Sequence, residues 1–222
     1  MGRTGVIAID EYYHVYNRGV DKRVIFQDAH DYNRFLLLMY LCNSERPVNL
    51  EEHFRKGRAF TDIFRTERGS PLVAIGAWCL MPNHFHFLCK EIVEGGTQKF
   101  FHKVCTGYSM YFNTKYERTG TLFEGRFKLR HVDSDRYLKY LYAYIYLNPV
   151  KLVPGESSWK ENGIADKKGV ADFLKEYSYS SMPQKEKSKL LESIISPSHF
   201  PRYYENLDQM EKDVLDWLSE EM

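Results

Sequence analysis

The sequence predicts an α+β fold, because stretches with strand periodicity and stretches with helical periodicity follow one another along its 222 residues. Residues 12–19 alternate and are rich in strand-forming side chains before they break at a glycine. The apolar run 72–80 and the segment 84–90 indicate two further strands, with Pro82 and Asn83 as the turn between them. Apolar residues recur at helical spacing in three other segments, 29–42, 97–116 and 134–148.

Short polar side chains at the expected starts of these helices support the assignment. Asp28, Thr97 and either Asp133 or Ser134 can each accept a hydrogen bond from a backbone N–H of the first helical turn. Pro149 cannot continue a helix and is expected to end the third one. Each helix therefore has a start signal, and the third also has a stop signal.

Length and composition indicate one main domain. With 43% hydrophobic and 15% aromatic residues, the chain can bury one good core. We expect this domain to span residues 1–182. Within it, residues 43–70 mix charges of both signs with proline and glycine, which favours an exposed insertion with a short helix around residues 50–56. Residues 183–222 are expected to form a helical C-terminal extension.

Charge and cysteine content limit the classes of function. Lys plus Arg (31) and Asp plus Glu (30) nearly balance, so the net charge neither requires nor excludes a nucleic acid partner. The four cysteines form no Cys-x-x-Cys pair, which argues against a zinc ribbon or a disulfide framework and favours a reducing compartment. No segment approaches the ~20 apolar residues of a membrane span, and residues 1–10 lack the pattern of a secretory signal. We therefore expect a cytoplasmic protein that makes no membrane contact.

Two histidines in the second of the paired strands form the first candidate site. Successive side chains of a strand point to opposite faces, so His84 and His86 share one face. Two neighbouring imidazoles are half of a metal site. The same His-Phe-His pattern also occurs where a sheet face is merely wet and aromatic. The metal interpretation therefore needs a third ligand and a reactive group.

The third predicted helix carries a phenol and an amide on one face. Tyr144 and Asn148 stand four residues apart, so they lie one above the other on the same helical face. They continue a stripe that also contains Tyr137 and Tyr140. In a chain with 17 tyrosines, any single one is more often structural than catalytic. Tyr144 stands out because an amide shares its face in a chain that also has a His-x-His strand.

Basic residues are concentrated around a further predicted strand, residues 120–132. Arg126, Lys128 and Arg130 follow one another at spacing two and so fall on one face of that strand. Residues 99–139 contain nine Lys or Arg against four Asp or Glu. A row of cations more often protects an edge strand from aggregation than it forms a binding surface. The local excess of basic residues nevertheless favours a polyanionic partner.

Four separated motifs, in this order along the chain, resemble the REP-associated tyrosine transposases. This family is related to the single-tyrosine insertion-sequence transposases, in the superfamily named for its His-hydrophobic-His motif. The motifs are residues 13–19 (YHVYNRG), 81–86 (MPNHFH), 120–128 (GTLFEGRFK) and 144–151 (YIYLNPVK), and residues 177–181 (YSYSS) resemble the motif that follows the tyrosine helix. The resemblance covers roughly residues 10–182, and the extension beyond it matches no motif of the set.

The resemblance implies a ferredoxin-like (RRM-like) antiparallel sheet with helices packed on one face, and hairpins of single-stranded DNA as the substrate. Carried over residue by residue, it implies that His84, His86 and Asn148 are metal ligands and that Tyr144 is the nucleophile. A second copy of the chain is a candidate partner. The residues expected to contact DNA are Asn17 and Arg18 of the first motif and the basic residues Arg126, Lys128 and Arg130.

The implied roles are chemically consistent. A tyrosine phenol has a pKa of ~10, so it is a weak nucleophile at neutral pH and needs an activated electrophile. A divalent cation on the scissile phosphate activates it as a Lewis acid. Two imidazole nitrogens and an amide oxygen leave coordination positions open, and they suit Mn²⁺ or Mg²⁺ better than a closed zinc site. The product would be a 5′-phosphotyrosine link and a free 3′-hydroxyl.

Two other functions are compatible with the same residues. A ferredoxin-like sheet with many aromatic residues can bind single-stranded nucleic acid without catalysis, and it would then need no metal and form no covalent adduct. A metal-dependent hydrolase could instead use an activated water, with Tyr144 only structural. In that case metal-dependent cleavage would survive the substitution Tyr144→Phe.

The end of the chain has the pattern of an acidic amphipathic helix. Residues 203–222 contain seven Asp or Glu against the single Lys212. We expect this helix to dock on its own chain or on a second copy and to contribute stability. The alternative is that its acidic face competes with DNA for the basic strand. The apolar residues at helical spacing are Leu207, Met210, Val214, Trp217 and Leu218.

Overall fold

The computed structural model of the protein describes residues 7–47, 59–183, 192–203, 205 and 207–216. The short helix predicted around residues 50–56 lies outside this part of the chain, and so do Trp217 and Leu218 of the predicted acidic helix. Within the described residues, no helix is long and apolar enough to cross a membrane.

A four-stranded antiparallel sheet forms the centre of the described structure. Its strands lie in the order β2-β3-β1-β4, so β2 and β4 are the edges. The β2–β3 hairpin pairs Met81 with His84, which leaves Pro82 and Asn83 as the predicted two-residue turn. The strands are β1 (Tyr12–Arg18), β2 (Val73–Met81), β3 (His84–Glu91) and β4 (Lys128–His131).

The helices of the described residues differ widely in length. The α-helices are α1 (Ala29–Cys42), α2 (Phe60–Ile63), α3 (Gly96–Lys115), α4 (Asp135–Tyr146), α5 (Trp159–Asn162), α6 (Lys167–Glu176) and α7 (Leu207–Asp216). Short 3₁₀ turns occupy Val20–Lys22, Asn148–Leu152 and Pro197–His199. The chain order β1-α1-β2-β3-α3-β4, combined with the strand order, is the predicted ferredoxin-like arrangement.

Side-chain alternation in the strands builds two apolar clusters, one on each face of the sheet. On one face, Val15 and Phe87 pack under α1 and α3, which are the helices that the ferredoxin-like arrangement places on a single face. On the opposite face, Leu88 packs with Leu141 and Ile145 of α4. The tyrosine helix α4 therefore covers the face that the core helices leave open, and the resemblance alone did not imply this position.

Of two predicted helix N-termini, one has the expected capping residue and the other does not. Helix α1 begins as predicted, with the Asp28 side chain accepting a hydrogen bond from the Asp31 N–H. Thr97 was predicted to cap α3 but lies inside its first turn, and the capping residue is Gly95, whose φ is 68°. The buried Glu91 carboxylate accepts hydrogen bonds from the backbone N–H groups of Gly96 (3.0 Å) and Thr97 (2.9 Å). A carboxylate at the end of β3 thus replaces the local cap.

The strand predicted over residues 120–132 is shorter than expected. Only Lys128–His131 pairs with β1, and the preceding segment is a loop. Gly120 and Gly125 adopt φ values of 84° and 89° there, which extended strands do not contain. Arg126 therefore lies outside the strand in which it was predicted.

The third helix also ends earlier than predicted. Its α-helical part stops at Tyr146, and Asn148 lies at the start of the following 3₁₀ turn together with Pro149. The tighter turn accommodates the proline, which cannot donate the backbone hydrogen bond that an α-helix would require.

The described part of the insertion is not wholly exposed, contrary to expectation. Ile63 and Phe64 are 0% and 4% exposed and belong to the same core cluster as α1. The insertion joins the core because α2 places these two apolar side chains against it.

The chain after α6 covers the exposed edge of β2. The Leu80 N–H of β2 donates to the Tyr179 carbonyl (2.9 Å). In the other direction, the Ser181 N–H donates to the Trp78 carbonyl (2.8 Å) and the Ser196 N–H donates to the Ile75 carbonyl (2.8 Å). An uncovered edge strand would leave these groups without backbone partners and open to pairing with another chain. Part of the C-terminal extension therefore completes the sheet.

Helix α7 docks on the same chain. Met210 and Val214, 5% and 0% exposed, belong to the cluster that contains α4. Asp213 lies 3.8 Å from Lys139 of α4. These contacts support the structural role that we expected for the acidic helix.

A buried carboxylate joins α1 to α3 and leads to a stability prediction. Asp31 is 0% exposed and accepts from Lys115 Nζ (2.7 Å) and from the hydroxyls of Tyr116 (2.8 Å) and Tyr111 (3.0 Å). The substitution Asp31→Ala leaves the two tyrosine hydroxyls without this acceptor, while Lys115 keeps Asp28, and we expect it to lower the free energy of unfolding by about 3 kcal/mol, since each unsatisfied buried group costs about 1–3 kcal/mol. Urea unfolding measures this loss.

The matched control for that prediction is Asp28→Ala. Asp28 contacts the same Lys115 (2.7 Å) but is exposed. Its loss should cost about 0.5–2 kcal/mol, mainly through the helix cap. An equal cost for the two substitutions would show that burial of Asp31 adds nothing.

Candidate active site

The β2–β3 hairpin and β1 place three histidines on one face of the sheet. His84 and His86 point to this face of β3, as predicted from the strand period. His14 of β1 points to the same face, because its neighbours Tyr13 and Val15 point into the opposite core.

His14 and His86 are joined by a hydrogen bond. Nε2 of His14 lies 2.9 Å from Nδ1 of His86. Both residues are buried, with exposed fractions of 8% for His14 and 7% for His86. Burial, followed by the charge of Arg130, lowers the pKa of His14 to about 4, so its ring is neutral at neutral pH. A neutral His14 can accept the proton of His86 Nδ1. His86 then presents Nε2 as an unprotonated nitrogen, the form that binds metals.

His84 is held by the turn residue that precedes it. Its Nδ1 lies 2.6 Å from Oδ1 of Asn83, and the Asn83 amide nitrogen donates to the Lys22 carbonyl (3.1 Å). The Lys22 contact orients the amide so that its oxygen faces His84. Because an amide oxygen only accepts, the proton of His84 lies on Nδ1 and its Nε2 carries a lone pair. Burial, followed by the charge of Lys151, lowers the pKa of His84 to about 4.

Asn148 completes a set of donors that fits a divalent cation. Its Oδ1 lies 3.4 Å from Nε2 of His84, so a lone pair of nitrogen faces an amide oxygen. Asn148 is 1% exposed, and its amide nitrogen has no hydrogen-bond partner among the described residues. Two acceptors that face each other in a buried site are favourable when a cation binds both. The donor atoms of His84, His86 and Asn148 could therefore hold a divalent metal.

The amide of Asn148 is needed for such a set. Within the described part of the chain, no group of three or more His, Cys, Asp or Glu side chains is arranged to hold a metal ion. A site with few anionic ligands leaves the charge of the cation available to a phosphate group.

Tyr144 lies beside the histidines of its own chain. Its ring meets the His86 ring edge-on, with the ring centroids 5.3 Å apart, and the His14 ring at 5.8 Å. Burial raises the pKa of Tyr144, and the nearby Asn148 amide opposes this shift. The phenol is therefore protonated at neutral pH, so a nucleophilic role would require an activated electrophile.

Two residues close to the site, Lys151 and His14, were not predicted from the sequence. Lys151 lies with its Nζ 5.9 Å from the centre of the Tyr144 ring. In a 3₁₀ turn, side chains three residues apart eclipse each other, so the spacing of Asn148 and Lys151 could have indicated this position. The contact of His14 with His86 depends on the pairing of β1 with β3, which no local pattern specifies.

Asn17 and Arg18, predicted to contact DNA, form hydrogen bonds with the loop before β4. Asn17 is 3% exposed, and its amide donates to the Gly125 carbonyl (3.1 Å) and accepts from the Arg18 N–H (2.9 Å). The Arg18 guanidinium forms two hydrogen bonds with the Glu124 carboxylate, at 3.0 Å and 3.1 Å. These side chains position the loop, and a direct role in DNA contact stays a prediction.

The basic residues of β4 lie at the border of the site. Lys128 and Arg130 pair with Tyr16 and His14 of β1, respectively, and therefore share their face. Both are exposed on the edge strand, as is Arg126 in the preceding loop. The structure thus brings two of the three predicted cations to the face that carries the histidines.

Comparison with known proteins gives little more. No family model matches the chain, and no curated protein matches it. Among solved structures, the chain is similar to a REP-associated tyrosine transposase bound to a REP hairpin, with 12% sequence identity, a TM-score of 0.47 and 82% of each chain covered. That protein is of the family that the sequence motifs resemble.

Proposed function

We propose that this protein is a transposase-like enzyme that cuts and rejoins single-stranded DNA at hairpins. In this proposal the reaction depends on a divalent metal, Mg²⁺ or Mn²⁺, and passes through a covalent 5′-phosphotyrosine link to Tyr144. The observation that carries the proposal is the position of Tyr144, whose ring contacts His86 while Asn148 faces His84. A nucleophile, two unprotonated imidazole nitrogens and an amide oxygen thus meet in one partly buried site.

The residues divide the chemistry between them. His84, His86 and Asn148 would hold the metal, which when bound supplies Lewis acidity to the scissile phosphate. The phenol oxygen of Tyr144 attacks the phosphorus and releases its proton to water as the new bond forms. The bond from phosphorus to the 3′ oxygen breaks, and that oxygen takes up a proton to leave as a hydroxyl. Lys151 contributes a positive charge beside the phenol.

The reverse reaction follows from the same balance of bonds. The link between Tyr144 and the DNA is a phosphodiester, like the bond that was cut. A hydroxyl can therefore attack its phosphorus in turn. Attack by a 3′-hydroxyl releases Tyr144 and joins two strands without an external energy source. The enzyme can therefore act as a strand transferase as well as an endonuclease.

A labelled hairpin with single-stranded flanks tests the proposal. Incubation of the hairpin with the protein and Mn²⁺ should give a protein–DNA adduct that persists in denaturing gels, and peptide mapping should locate the link at Tyr144. Cleavage without an adduct would support a hydrolase that uses water. Binding without cleavage, unaffected by chelator, would support a non-catalytic single-strand binder.

The basic edge strand should contribute to DNA affinity. We expect Lys128→Ala and Arg130→Ala each to weaken binding of the flanked hairpin and to reduce the salt slope of log K by about 0.7, since each removes a phosphate contact on a single strand. Fluorescence anisotropy at several salt concentrations measures both effects. A blunt duplex of the same sequence should bind less tightly than the flanked hairpin.

Arg65→Ala is the control for this prediction. Arg65 is exposed and directly follows Ile63 and Phe64, which pack in the cluster on the face of the sheet opposite the histidines. Its loss should leave the salt slope unchanged. Equal slopes for all three variants and the wild type would mean that the cations of β4 do not contact DNA and only keep the edge strand hydrated.

A further inference from the structure

Helix α4 carries a ladder of tyrosine rings that leads to Tyr144. We call Tyr137, Tyr140 and Tyr144 the tyrosine stripe. The ring centroids of Tyr137 and Tyr140 lie 6.2 Å apart with an interplanar angle of 21°. Those of Tyr140 and Tyr144 lie 6.1 Å apart with an angle of 30°. Three roughly parallel rings therefore run along one side of the helix and end at the proposed nucleophile.

Packing of α4 onto the sheet accounts for only part of the stripe. It rests on the apolar side of the helix, with Leu138, Leu141 and Ile145 only 3%, 1% and 0% exposed, and Tyr137 packs against the edge of that cluster. Tyr137 and Tyr140 lie beside this apolar side and are half-buried, so part of each remains open to solvent. An aromatic surface at the border of the core is available to a ligand that stacks on it.

Positive charge accompanies the stripe at both ends. The Arg130 guanidinium lies 4.7 Å from the centre of the Tyr137 ring, and its charge also acts on Tyr140, lowering the pKa that burial raises. Lys151 Nζ lies 5.9 Å from the ring centre of Tyr144. Asp133 is the acidic group whose charge reaches Tyr137, but its influence is smaller than that of Arg130. Aromatic faces between cations are the pattern that binds single-stranded nucleic acid.

We propose that the tyrosine stripe, with Arg130 and Lys151, is the subsite that holds the nucleotides next to the scissile phosphate. The bases stack on Tyr137 and Tyr140, and the two cations contact the phosphates between them. This inference rests on the proposed function, because that function makes Tyr144 the end point of the strand. Its consequence is that the flank of the hairpin is bound through its bases at this helix, with little regard to their sequence, since every base has a stacking face.

Binding can be measured with catalysis removed. In a Tyr144→Phe background with chelator present, a fluorescent hairpin with a single-stranded flank should lose about tenfold or more in affinity on Tyr140→Ala, and similarly on Tyr137→Ala, as expected for one lost stacking contact. Tyr140→Phe and Tyr137→Phe are the matched controls, because they keep the ring and should keep the affinity. An abasic flank of the same length should bind all variants equally.

A second measurement does not depend on the variants remaining folded. A flank that contains 5-iodouracil, irradiated with the unsubstituted protein, should crosslink to Tyr137 or Tyr140. Crosslinks confined to other parts of the chain, or equal wild-type affinity for normal and abasic flanks, would overturn the proposal. These binding results are distinct from the adduct test. A missing adduct with base-dependent binding would reject the catalytic proposal and retain a stacking site, whereas an adduct without base-dependent binding would reject the subsite alone.

Discussion

The substitution Tyr144→Phe should abolish covalent attachment and lower DNA cleavage by about a thousandfold or more, because it removes the attacking oxygen and leaves the ring in place. The ring contacts with His86 and His14 do not involve the hydroxyl. We therefore expect the free energy of unfolding to change by no more than about 1 kcal/mol and the affinity for a hairpin to remain close to wild type. Denaturing gels, urea unfolding and anisotropy measure the three quantities.

Neighbouring tyrosines provide the control. Tyr140→Phe removes a hydroxyl from the same helical stripe and should leave the adduct in place. The prediction is wrong if Tyr144→Phe still forms an adduct, or if peptide mapping locates the link elsewhere on α4. The tyrosines to which a misplaced link could map are Tyr137, Tyr140, Tyr142 and Tyr146.

The second large effect concerns the metal. Loss of a residue that only supports a metal ligand weakens metal binding by about 10- to 100-fold. His84→Ala removes a ligand itself, so it should weaken Mn²⁺ binding by more than this, and cleavage should fall with it. Calorimetric titration with Mn²⁺ measures the affinity without reference to activity. His86→Ala and Asn148→Ala should behave in the same way, because each removes one of the proposed donors. Full activity of the wild-type protein in excess chelator would contradict the metal proposal.

The depressed pKa of His84 gives this prediction a pH signature. Protons compete with a metal for an imidazole nitrogen, so an ordinary histidine with a pKa of 6.5 begins to lose its metal as the pH falls through that value. Burial lowers the pKa of His84 to about 4, so the neutral form persists to lower pH. Mn²⁺ affinity should therefore hold as the pH falls below 6.5 and should drop only toward about 4. A midpoint near 6.5 would mean that protonation of His84 near 4 does not limit metal binding.

Much of the site could be predicted from local periodicity. The strand period placed His84 and His86 on one face, and Tyr144 and Asn148 both reach the site, although Asn148 lies in the 3₁₀ turn after α4. Helix α1 has the predicted bounds, because its N-cap aspartate and its apolar spacing are signals within the helix itself. Such features depend on backbone geometry over a few residues, which the amino-acid sequence specifies directly.

Other local predictions were wrong where contacts outside the predicted element replaced a local signal. The first N–H groups of α3 donate to Glu91 rather than to Thr97, and β4 begins only at Lys128, after Gly125 turns the chain. Ile63 and Phe64 joined the core although their surroundings in the sequence are charged. In each case a buried group or a neighbouring strand outweighed the local preference.

By itself, the sequence determined the α+β class, the side-by-side histidines and the spacing of Tyr144 from Asn148. Only the tertiary structure decided that α4 lies over the histidine face, that His14 holds His86, and that Arg18 is paired with Glu124. The reason is that periodicity fixes which side of its own element a residue occupies. Which elements meet depends on burial and strand pairing between residues far apart in the chain, and no local pattern encodes those partners.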